Sequence, residues 1–296
     1  MKKIIKFIIY LSLFGVVFGY IGTYHIAPYA IIMKHDITQN IDFDSYNFNA
    51  KKVDLKVKNS IALDSYLFTP KSDSLKGIII MVHGIGSCKE PFASLSENLA
   101  KQNIGTFLFD LRAHGKSGGE YCTFGYHEKQ DVKSIVDYLT IHYPNTPIGI
   151  WGTSLGGAVA IQSLELDSRI EFGVIECTFA KLEQIVYDYQ KRICFGLGFR
   201  FITDASLAKA GEIAKFDPEE VKPINSVKNI NQPMFLAHGK KDANISFEYG
   251  KQLFENLNSE EKTFVALEDQ GHNYFFQTAG IEYRNKVMSF INKQLK

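Results

Sequence analysis

The stretch of sequence that decides the fold is residues 148–161, which read IGIWGTSLGGAVAI. Its first four residues are typical of a buried strand, and residues 157–161 are typical of the start of a packed helix. Between them, GTSLG fits the pattern Gly-x-Ser-x-Gly, in which a serine occupies a sharp strand-to-helix turn. The flanking glycines let the neighbouring backbone approach without a Cβ clash. We therefore predict that Ser154 presents its hydroxyl at the edge of a sheet, where the N–H groups of the following helix favour negative charge.

A second apolar run, residues 77–82 (GIIIMV), precedes the turn HGIG at residues 83–86. Continuous β-branched runs of this kind are typical of strands covered on both faces. A glycine-rich turn at a strand end presents unpaired N–H groups, and such a donor stabilises an oxyanion by about 3–4 kcal/mol. We predict the backbone N–H groups of Ile85 and Leu155 as the two donors, and a structural role for His83.

Two later loops also follow strand-like runs. Residues 234–237 lead to Asp242, and residues 263–267 lead to Gly271 and His272. A carboxylate can orient an imidazole, and a neutral imidazole can accept and return a proton. The alternative for Asp242 is that it caps the helix expected near Ser246. The chain order Ser154, Asp242, His272 is the order in which one large class of hydrolases places its catalytic groups.

Together these stretches resemble the α/β-hydrolase-fold serine hydrolases, most closely the lysophospholipase-like and serine aminopeptidase-like (S33-type) branch. The similarity rests on residues 83–86, 109–117, 152–156, 238–242 and 271–272, and it extends over residues 53–296. It implies a mainly parallel eight-stranded sheet with helices on both faces and a helical cap. It also implies a Ser154–His272–Asp242 triad that needs neither a metal ion nor an organic cofactor. Strand-like runs that alternate with helical patterns agree with this architecture.

The N-terminus contains a second informative feature. A basic flank, residues 1–6, precedes residues 7–24, an uncharged stretch of 18 residues that is apolar on every face. This length is at the lower edge for a membrane-spanning helix. We favour an uncleaved signal anchor over a cleaved signal peptide, since the only cleavage candidate, residues 28–30 (PYA), is poor. Residues 25–52 are expected to form a linker.

The distribution of lysines predicts the orientation of this anchor. Lys2, Lys3 and Lys6 precede the apolar stretch, while Lys34 is the only Lys or Arg soon after it. The positive-inside rule then places the catalytic domain on the extracytoplasmic side. The alternative is a secreted or periplasmic protein released by cleavage.

Composition restricts the partners. The net charge is +1, with 33 basic and 32 acidic residues, so a nucleic-acid-binding surface is not expected. The four cysteines are expected to be mostly buried thiols, because a domain of about 250 residues does not need disulfides. Their pairing cannot be deduced from sequence.

Residues 179–231 are longer than a strand-to-strand connection requires, and we predict that they form the cap. The strongly apolar segment 193–202 is expected to line an acyl pocket, to touch the bilayer, or simply to pack the cap onto the body. Phe195 and Phe199 are the candidate substrate contacts. The turn containing Asp110 and Arg112 is expected to be structural, with these two side chains paired.

The predicted function is hydrolysis of small-molecule carboxylic esters or thioesters through an acyl-enzyme, by a protein tethered to a lipid bilayer. One alternative is a serine aminopeptidase or amidase. It would need an acidic anchor for the substrate amine, for which Glu183, Asp188 and Asp204 are the candidates. A second alternative is a non-catalytic, membrane-bound binding scaffold.

Overall fold

The molecule is built around one eight-stranded sheet, seen in a computed structural model that describes residues 2–72, 74–272 and 274–296. The strands are Asn49–Val57 (β1), Ile61–Thr69 (β2), Gly77–Val82 (β3), Ile104–Phe109 (β4), Ile148–Thr153 (β5), Ile170–Glu176 (β6), Met234–Gly239 (β7) and Lys262–Leu267 (β8). Their order is β1-β2-β4-β3-β5-β6-β7-β8. The β1–β2 and β2–β4 pairs are antiparallel and the other pairs are parallel. The predicted mainly parallel sheet is confirmed.

The helices in the described residues are, in chain order, Lys2–Ile21 (α1), Ala27–Ile32 (α2), Ala93–Ala100 (α3), Glu128–His142 (α4), Leu155–Leu166 (α5), Leu182–Ile193 (α6), Arg200–Ala214 (α7), Pro223–Ser226 (α8), Phe247–Asn256 (α9), Phe275–Thr278 (α10) and Gly280–Gln294 (α11). Several of them cover the two faces of the sheet, whereas α1 is exposed. Apolar residues of α4, α5 and α9 share one core cluster, and those of α3 and α11 share the other. Helices α6 and α7 lie within the predicted cap.

The central strand β3 shows how the sequence produces these two cores. Successive side chains of a strand point to opposite faces. Ile78 and Ile80 accordingly belong to the cluster with α4 and α5, and Ile79 and Met81 belong to the cluster with α3 and α11. All six residues of β3 are buried. This explains why the strand reads as an unbroken apolar run instead of an alternating one.

The N-terminal helix continues further than the sequence pattern suggested. After α1, a π-helical turn at Gly22–Ile26 leads directly into α2, so that residues 3–32 form one apolar helical stretch. By length and composition this stretch can cross a membrane, although a signal sequence meets the same criterion. The prediction of a linker over residues 25–52 was therefore wrong for its first part. Ile32 is fully buried, and its carbonyl accepts the N–H of Cys122 at 3.1 Å.

The loop after β4 is structural, but its ion pairs differ from the predicted one. The Arg112 guanidinium binds both carboxylate oxygens of Asp131 at 2.6 Å each. Asp110 instead accepts from the Lys89 ammonium at 3.0 Å. The predicted Asp110–Arg112 pair is therefore wrong. The actual partners, Lys89 and Asp131, come from other segments of the chain, so proximity in sequence did not identify them.

The junction between β5 and α5 is closely packed. Ser154 has a positive φ of 59°, which is rare for a residue with a side chain. A Cβ added to Gly156 would lie 2.0 Å from the carbonyl oxygen of Val82, and one added to Gly152 would lie 2.1 Å from that of Gly156. Both contacts are with backbone, which cannot rotate away. Glycine at these two positions is what allows α5 to start directly against the ends of β3 and β5.

This packing predicts a large cost for a single methyl group at Gly156. Gly156→Ala should lower the free energy of unfolding by at least about 2 kcal/mol, because the new carbon overlaps rigid backbone. Gly118→Ala is the matched control, since its Cβ would make only ordinary contacts at 3.4–3.5 Å. Denaturant unfolding of the full chain in detergent measures both variants. Equal stability of the two would contradict the proposed packing.

Candidate active site

The three side chains predicted from separate loops form one hydrogen-bonded chain. His272 Nε2 lies 2.9 Å from Ser154 Oγ, and His272 Nδ1 lies 2.7 Å from Asp242 Oδ2. An ionised carboxylate only accepts hydrogen bonds, so Nδ1 carries the proton and Nε2 is free to accept from the serine hydroxyl. Ser154 follows β5, Asp242 follows β7, and His272 follows β8. All three loops lie at the carboxyl end of the parallel strands, which brings them together.

Asp242 is held in its ionised form by several donors. Its Oδ1 accepts the backbone N–H groups of Asn244 and Ile245 at 2.8 Å each. His238, which sequence reasoning did not assign to the site, lies 3.4 Å from Oδ2. Burial alone would raise the pKa of Asp242, but the hydrogen bonds from His238 and His272 hold it well below its usual range. The carboxylate is therefore a fixed negative charge beside the imidazole.

The turn after β3 lies directly beside the serine. A Cβ added to Gly84 would be 3.2 Å from Ser154 Cβ. Ile85, Ser154 and Leu155 line the same cavity. Leu155 is the first residue of α5, so its N–H has no acceptor within its own helix. Both residues predicted to supply the oxyanion donors therefore line the cavity into which Ser154 opens.

His83 fixes this turn from within the core. One ring nitrogen lies 2.8 Å from the carbonyl oxygen of Gly84, and the other accepts the N–H of Leu111 at 2.9 Å. Burial lowers the pKa of His83 to about 3, and the neighbouring His114 adds to the effect. The ring is therefore neutral and serves as a bridge between two loops, as its predicted structural role requires.

Ser154 opens into an apolar cavity of about 520 Å³, within the size range of pockets for small-molecule ligands. Helices α6 and α7 and the connection between them contribute nine lining residues, and these are Ile185, Val186, Tyr189, Gln190, Ile193, Cys194, Ile202, Thr203 and Ser206. Among the described residues that line the cavity there is no aspartate, glutamate, lysine or arginine. The cavity therefore suits an uncharged, largely hydrocarbon group.

One wall of the cavity comes from the N-terminal segment, which sequence reasoning had treated as a linker. Ala27, Ala30, Ile31 and His35 all line it. The segment is attached at both sides, because α2 packs against α7 and the backbone of His35 forms a bridge with that of His114. Burial lowers the pKa of His35, which keeps this wall uncharged. The available signal was the apolar pattern, which continues past residue 24 to Ile32.

Phe195 and Phe199, the predicted substrate contacts, are not among the residues that line the cavity. Phe195 is 98% exposed, and Phe199 is also exposed. They lie in the connection between α6 and α7, beyond the part of the cap that faces Ser154. Apolar character alone did not distinguish the inner face of the cap from its outer end.

The candidate acidic anchors are all engaged elsewhere. Glu183 pairs with Lys222, Asp204 pairs with Arg200, and Asp188 accepts from the Tyr249 hydroxyl. None of the three acids lines the cavity. Within the described part of the chain, the site therefore offers no carboxylate to a substrate ammonium group.

Glu176 and Thr178 hold the backbone of Ser154, and no sequence motif identified either residue. The Ser154 N–H donates to the Glu176 carbonyl at 2.9 Å, and Thr178 Oγ1 donates to the Ser154 carbonyl at 2.7 Å. The Glu176 side chain accepts from Tyr283 at 2.5 Å and from Thr153 at 2.9 Å. Burial raises the pKa of Glu176 to about 7, although both hydrogen bonds oppose the shift.

The described residues include one cluster of side chains that could hold a metal ion. In the residues that the structure describes, one group of potential ligand atoms lies within 4.8 Å of one another, from Cys177, Asp242 and His272. Asp242 and His272 already hydrogen-bond to each other. The geometry therefore favours proton transfer over metal coordination, and the absence of a metal requirement stays a prediction.

Comparison with known proteins agrees with this fold. The family model for serine aminopeptidase, S33, matches residues 73–201. The chain is 26% identical to YqkD of Bacillus subtilis over 62% of this chain and 61% of YqkD, so it spans less than two thirds of that relative. It is 24% identical to caffeoylshikimate esterase of Arabidopsis thaliana, over 70% of this chain and 74% of the relative. The Pyrococcus furiosus esterase Pf2001 superimposes with a TM-score of 0.75 at 22% identity, over 90% of this chain and 98% of that structure.

The fold and the matched family model define the class: the protein is an α/β hydrolase. Residues 73–201 are similar to the serine aminopeptidase S33 family, and the similar proteins include ones named as an esterase and a putative lipase. The predicted class of protein is thereby confirmed.

The buried carboxyl of Glu176 predicts how stability depends on pH. Its pKa is about 7 in the folded state against 4.5 for an unperturbed glutamate, so the folded state binds the proton more tightly. That stabilisation is present at low pH and is lost as the pH rises from about 4.5 to about 7. Glu176→Gln should remove this decline. Thermal unfolding of both proteins across this range tests it, and parallel pH profiles would show that the carboxyl is not responsible.

Proposed function

We propose that this protein is a serine hydrolase that cleaves carboxylic esters or thioesters of apolar acyl groups through a Ser154 acyl-enzyme. The observation that carries the proposal is the pair of hydrogen bonds from Ser154 through His272 to Asp242, at the mouth of an uncharged cavity. An activated nucleophile, an oriented base and nearby backbone donors are the parts that acyl transfer requires.

The proposed reaction has two steps. His272 Nε2 accepts the proton of Ser154 Oγ as this oxygen attacks the substrate carbonyl carbon, and the N–H groups of Ile85 and Leu155 hold the oxyanion. The bond to the leaving group then breaks, and that group takes the proton from Nε2. Water next attacks the acyl carbon and gives its proton to Nε2. Collapse of this second intermediate releases the acid and returns the proton to Ser154.

An ester is favoured over a peptide with a free N-terminus because of what lines the cavity. An aminopeptidase must bind the substrate ammonium group, and burying an ammonium group without a partner is costly. The three candidate acids are paired outside the cavity. Hydrolysis of aminoacyl bonds is therefore the second candidate, and a non-catalytic scaffold is disfavoured because the serine, histidine and aspartate side chains are in hydrogen-bonding contact.

We also propose that α1 is an uncleaved signal anchor, with the catalytic domain on the extracytoplasmic side. The packing of α2 supports retention of the segment, since cleavage after residue 30 would remove Ala27 and Ala30 from the cavity wall. The lysines before the helix support the orientation. A cleaved, secreted or periplasmic form is the alternative. Protease protection of the full chain in sealed membrane vesicles would distinguish these topologies.

Replacing groups of the proposed triad tests the chemistry. Asp242→Asn should retain the fold but lower kcat for p-nitrophenyl butyrate by roughly 10³-fold or more, because the imidazole then has no fixed acceptor for its Nδ1 proton. Ser154→Ala should abolish both this activity and covalent labelling by a fluorophosphonate. Labelling that persists in Ser154→Ala would overturn the assignment of the nucleophile.

The same assay separates the two bond types. A panel of p-nitrophenyl esters of increasing chain length is compared with aminoacyl p-nitroanilides, with Ser154→Ala as the blank. We expect a higher kcat/KM for the esters, because the cavity lacks an anchor for an ammonium group. A preference for the anilides would reverse the order of the two candidate functions.

The N-terminal wall predicts a change in chain-length preference. Ala27→Phe places a ring in the cavity and should lower kcat/KM for p-nitrophenyl dodecanoate roughly tenfold or more relative to the acetate ester. Tyr29→Leu is the matched control, since Tyr29 lies on the same helix but does not line the cavity. An unchanged ratio in Ala27→Phe would mean that the acyl chain binds elsewhere.

A further inference from the structure

The connection between α6 and α7 displays a dense group of exposed apolar side chains. Within nine residues, five large hydrophobic side chains are exposed, and these are Ile193, Phe195, Leu197, Phe199 and Phe201. We call residues 193–201 the cap tip. Isolated apolar residues are normal on a protein surface, but a contiguous group of this kind indicates an interaction site.

We propose that the cap tip docks on the surface of a lipid bilayer and that Ser154 receives its acyl substrate from that surface. The evidence for docking is the exposed residues of the cap tip and their surroundings. Delivery of the acyl substrate from the bilayer to Ser154 rests on the proposed function. The substrate class is then a bilayer-resident acyl ester with one hydrocarbon chain for the cavity.

The position of the cap tip favours a bilayer as its partner. Ser206 of α7 donates to the carbonyl oxygen of Thr23 at 3.0 Å, only two residues beyond the end of the exposed apolar helix α1. At a rise of 1.5 Å per residue, the start of α7 at Arg200 lies about 9 Å along the helix from Ser206. If α1 spans a membrane, the cap tip therefore lies near the surface of that membrane.

The charge around the cap tip fits the same partner. Between residues 189 and 203 the chain contains Lys191, Arg192 and Arg200 and no aspartate or glutamate. Arg192 stacks on the Tyr189 ring, and Arg200 lies over the Tyr187 ring and pairs with Asp204. Aromatic and basic side chains around an apolar surface are typical of segments that lie in the interface of an anionic bilayer.

The cap tip is also continuous with the cavity. Ile193 and Cys194, at its start, and Ile202, which directly follows it, line the cavity, and Ala27 and Ala30 of the N-terminal segment line the same space. A hydrocarbon chain that leaves the bilayer at the cap tip would therefore pass from one apolar surface to another. Transfer through water, which is costly for apolar area, would be avoided.

Fluorescence quenching tests the docking directly. The only tryptophan, Trp151, is buried in the core, so an added tryptophan reports on its own surroundings. Full-length Phe195→Trp is reconstituted into vesicles of phosphatidylcholine and phosphatidylglycerol with brominated acyl chains. We expect the added emission to shift to shorter wavelength and to lose most of its intensity. Ile141→Trp, at a position 75% exposed on α4, is the matched control and should show neither change.

Equal signals at the two positions would overturn the docking. Efficient crosslinking between copies carrying Phe195→Cys, with no quenching, would also overturn it, because the partner would then be a second copy of this chain.

Kinetics test delivery of the substrate. Phe195→Ser combined with Phe201→Ser should lower hydrolysis of a vesicle-embedded long-chain monoacyl ester roughly tenfold, because the two rings that insert into the bilayer are lost. Hydrolysis of soluble p-nitrophenyl acetate should be unchanged, since neither residue lines the cavity. Equal loss on both substrates would contradict delivery from the bilayer.

The two proposals fail in distinguishable ways. Quenching at position 195 without any Ser154-dependent hydrolysis would retain the docking surface and reject the proposed function. Hydrolysis of soluble esters without quenching would retain the proposed function and reject the docking surface.

Discussion

The backbone at Ser154 is the constraint on which the rest of the site depends. Its positive φ is costly for a residue with a side chain, by about 1–3 kcal/mol, and persists only where the surroundings fix it. Here the Ser154 N–H is held by the Glu176 carbonyl, and the Ser154 carbonyl is held by Thr178. Glycines at 152 and 156 allow the helix to start against rigid backbone. The result is a hydroxyl that faces the imidazole of His272 from a fixed direction.

Around that hydroxyl, the charged and hydrogen-bonding groups lie apart from the apolar lining of the cavity. The carboxylate of Asp242 is surrounded by donors on the body of the protein, whereas the cavity in front of Ser154 is lined without a charged side chain in the described chain. His35, His83 and His114, which lie near the turn after β3, have pKa values lowered by burial and stay neutral. Electrostatic interactions are stronger where water is excluded, so this separation fits the proposed binding of an acyl group and the proposed transfer of a proton.

Much of the fold was predictable because the strands are covered on both faces and read as apolar runs, as β3 and β5 do. The loops that carry Ser154, Asp242 and His272 were identifiable because each follows such a run. In contrast, the pairing of Arg112 with Asp131 and the orientation of Phe195 away from the cavity depend on segments that are distant in the chain. The helical part of residues 25–52 was missed because an apolar segment that follows a long apolar helix gives the same pattern whether or not it packs on the domain.

By itself, the sequence determined the layered architecture, the serine on its strand-to-helix turn and the long apolar N-terminal helix. These follow from local patterns, since burial on two faces, a need for glycine and continuous apolarity are all visible within a short window of residues. Only the tertiary structure decided that α2 is a wall of the cavity, that the cap faces Ser154 with α6 and α7, and that the cap tip is exposed. Those features depend on which distant surfaces pack together, and the free energy of that packing is a property of the assembled chain.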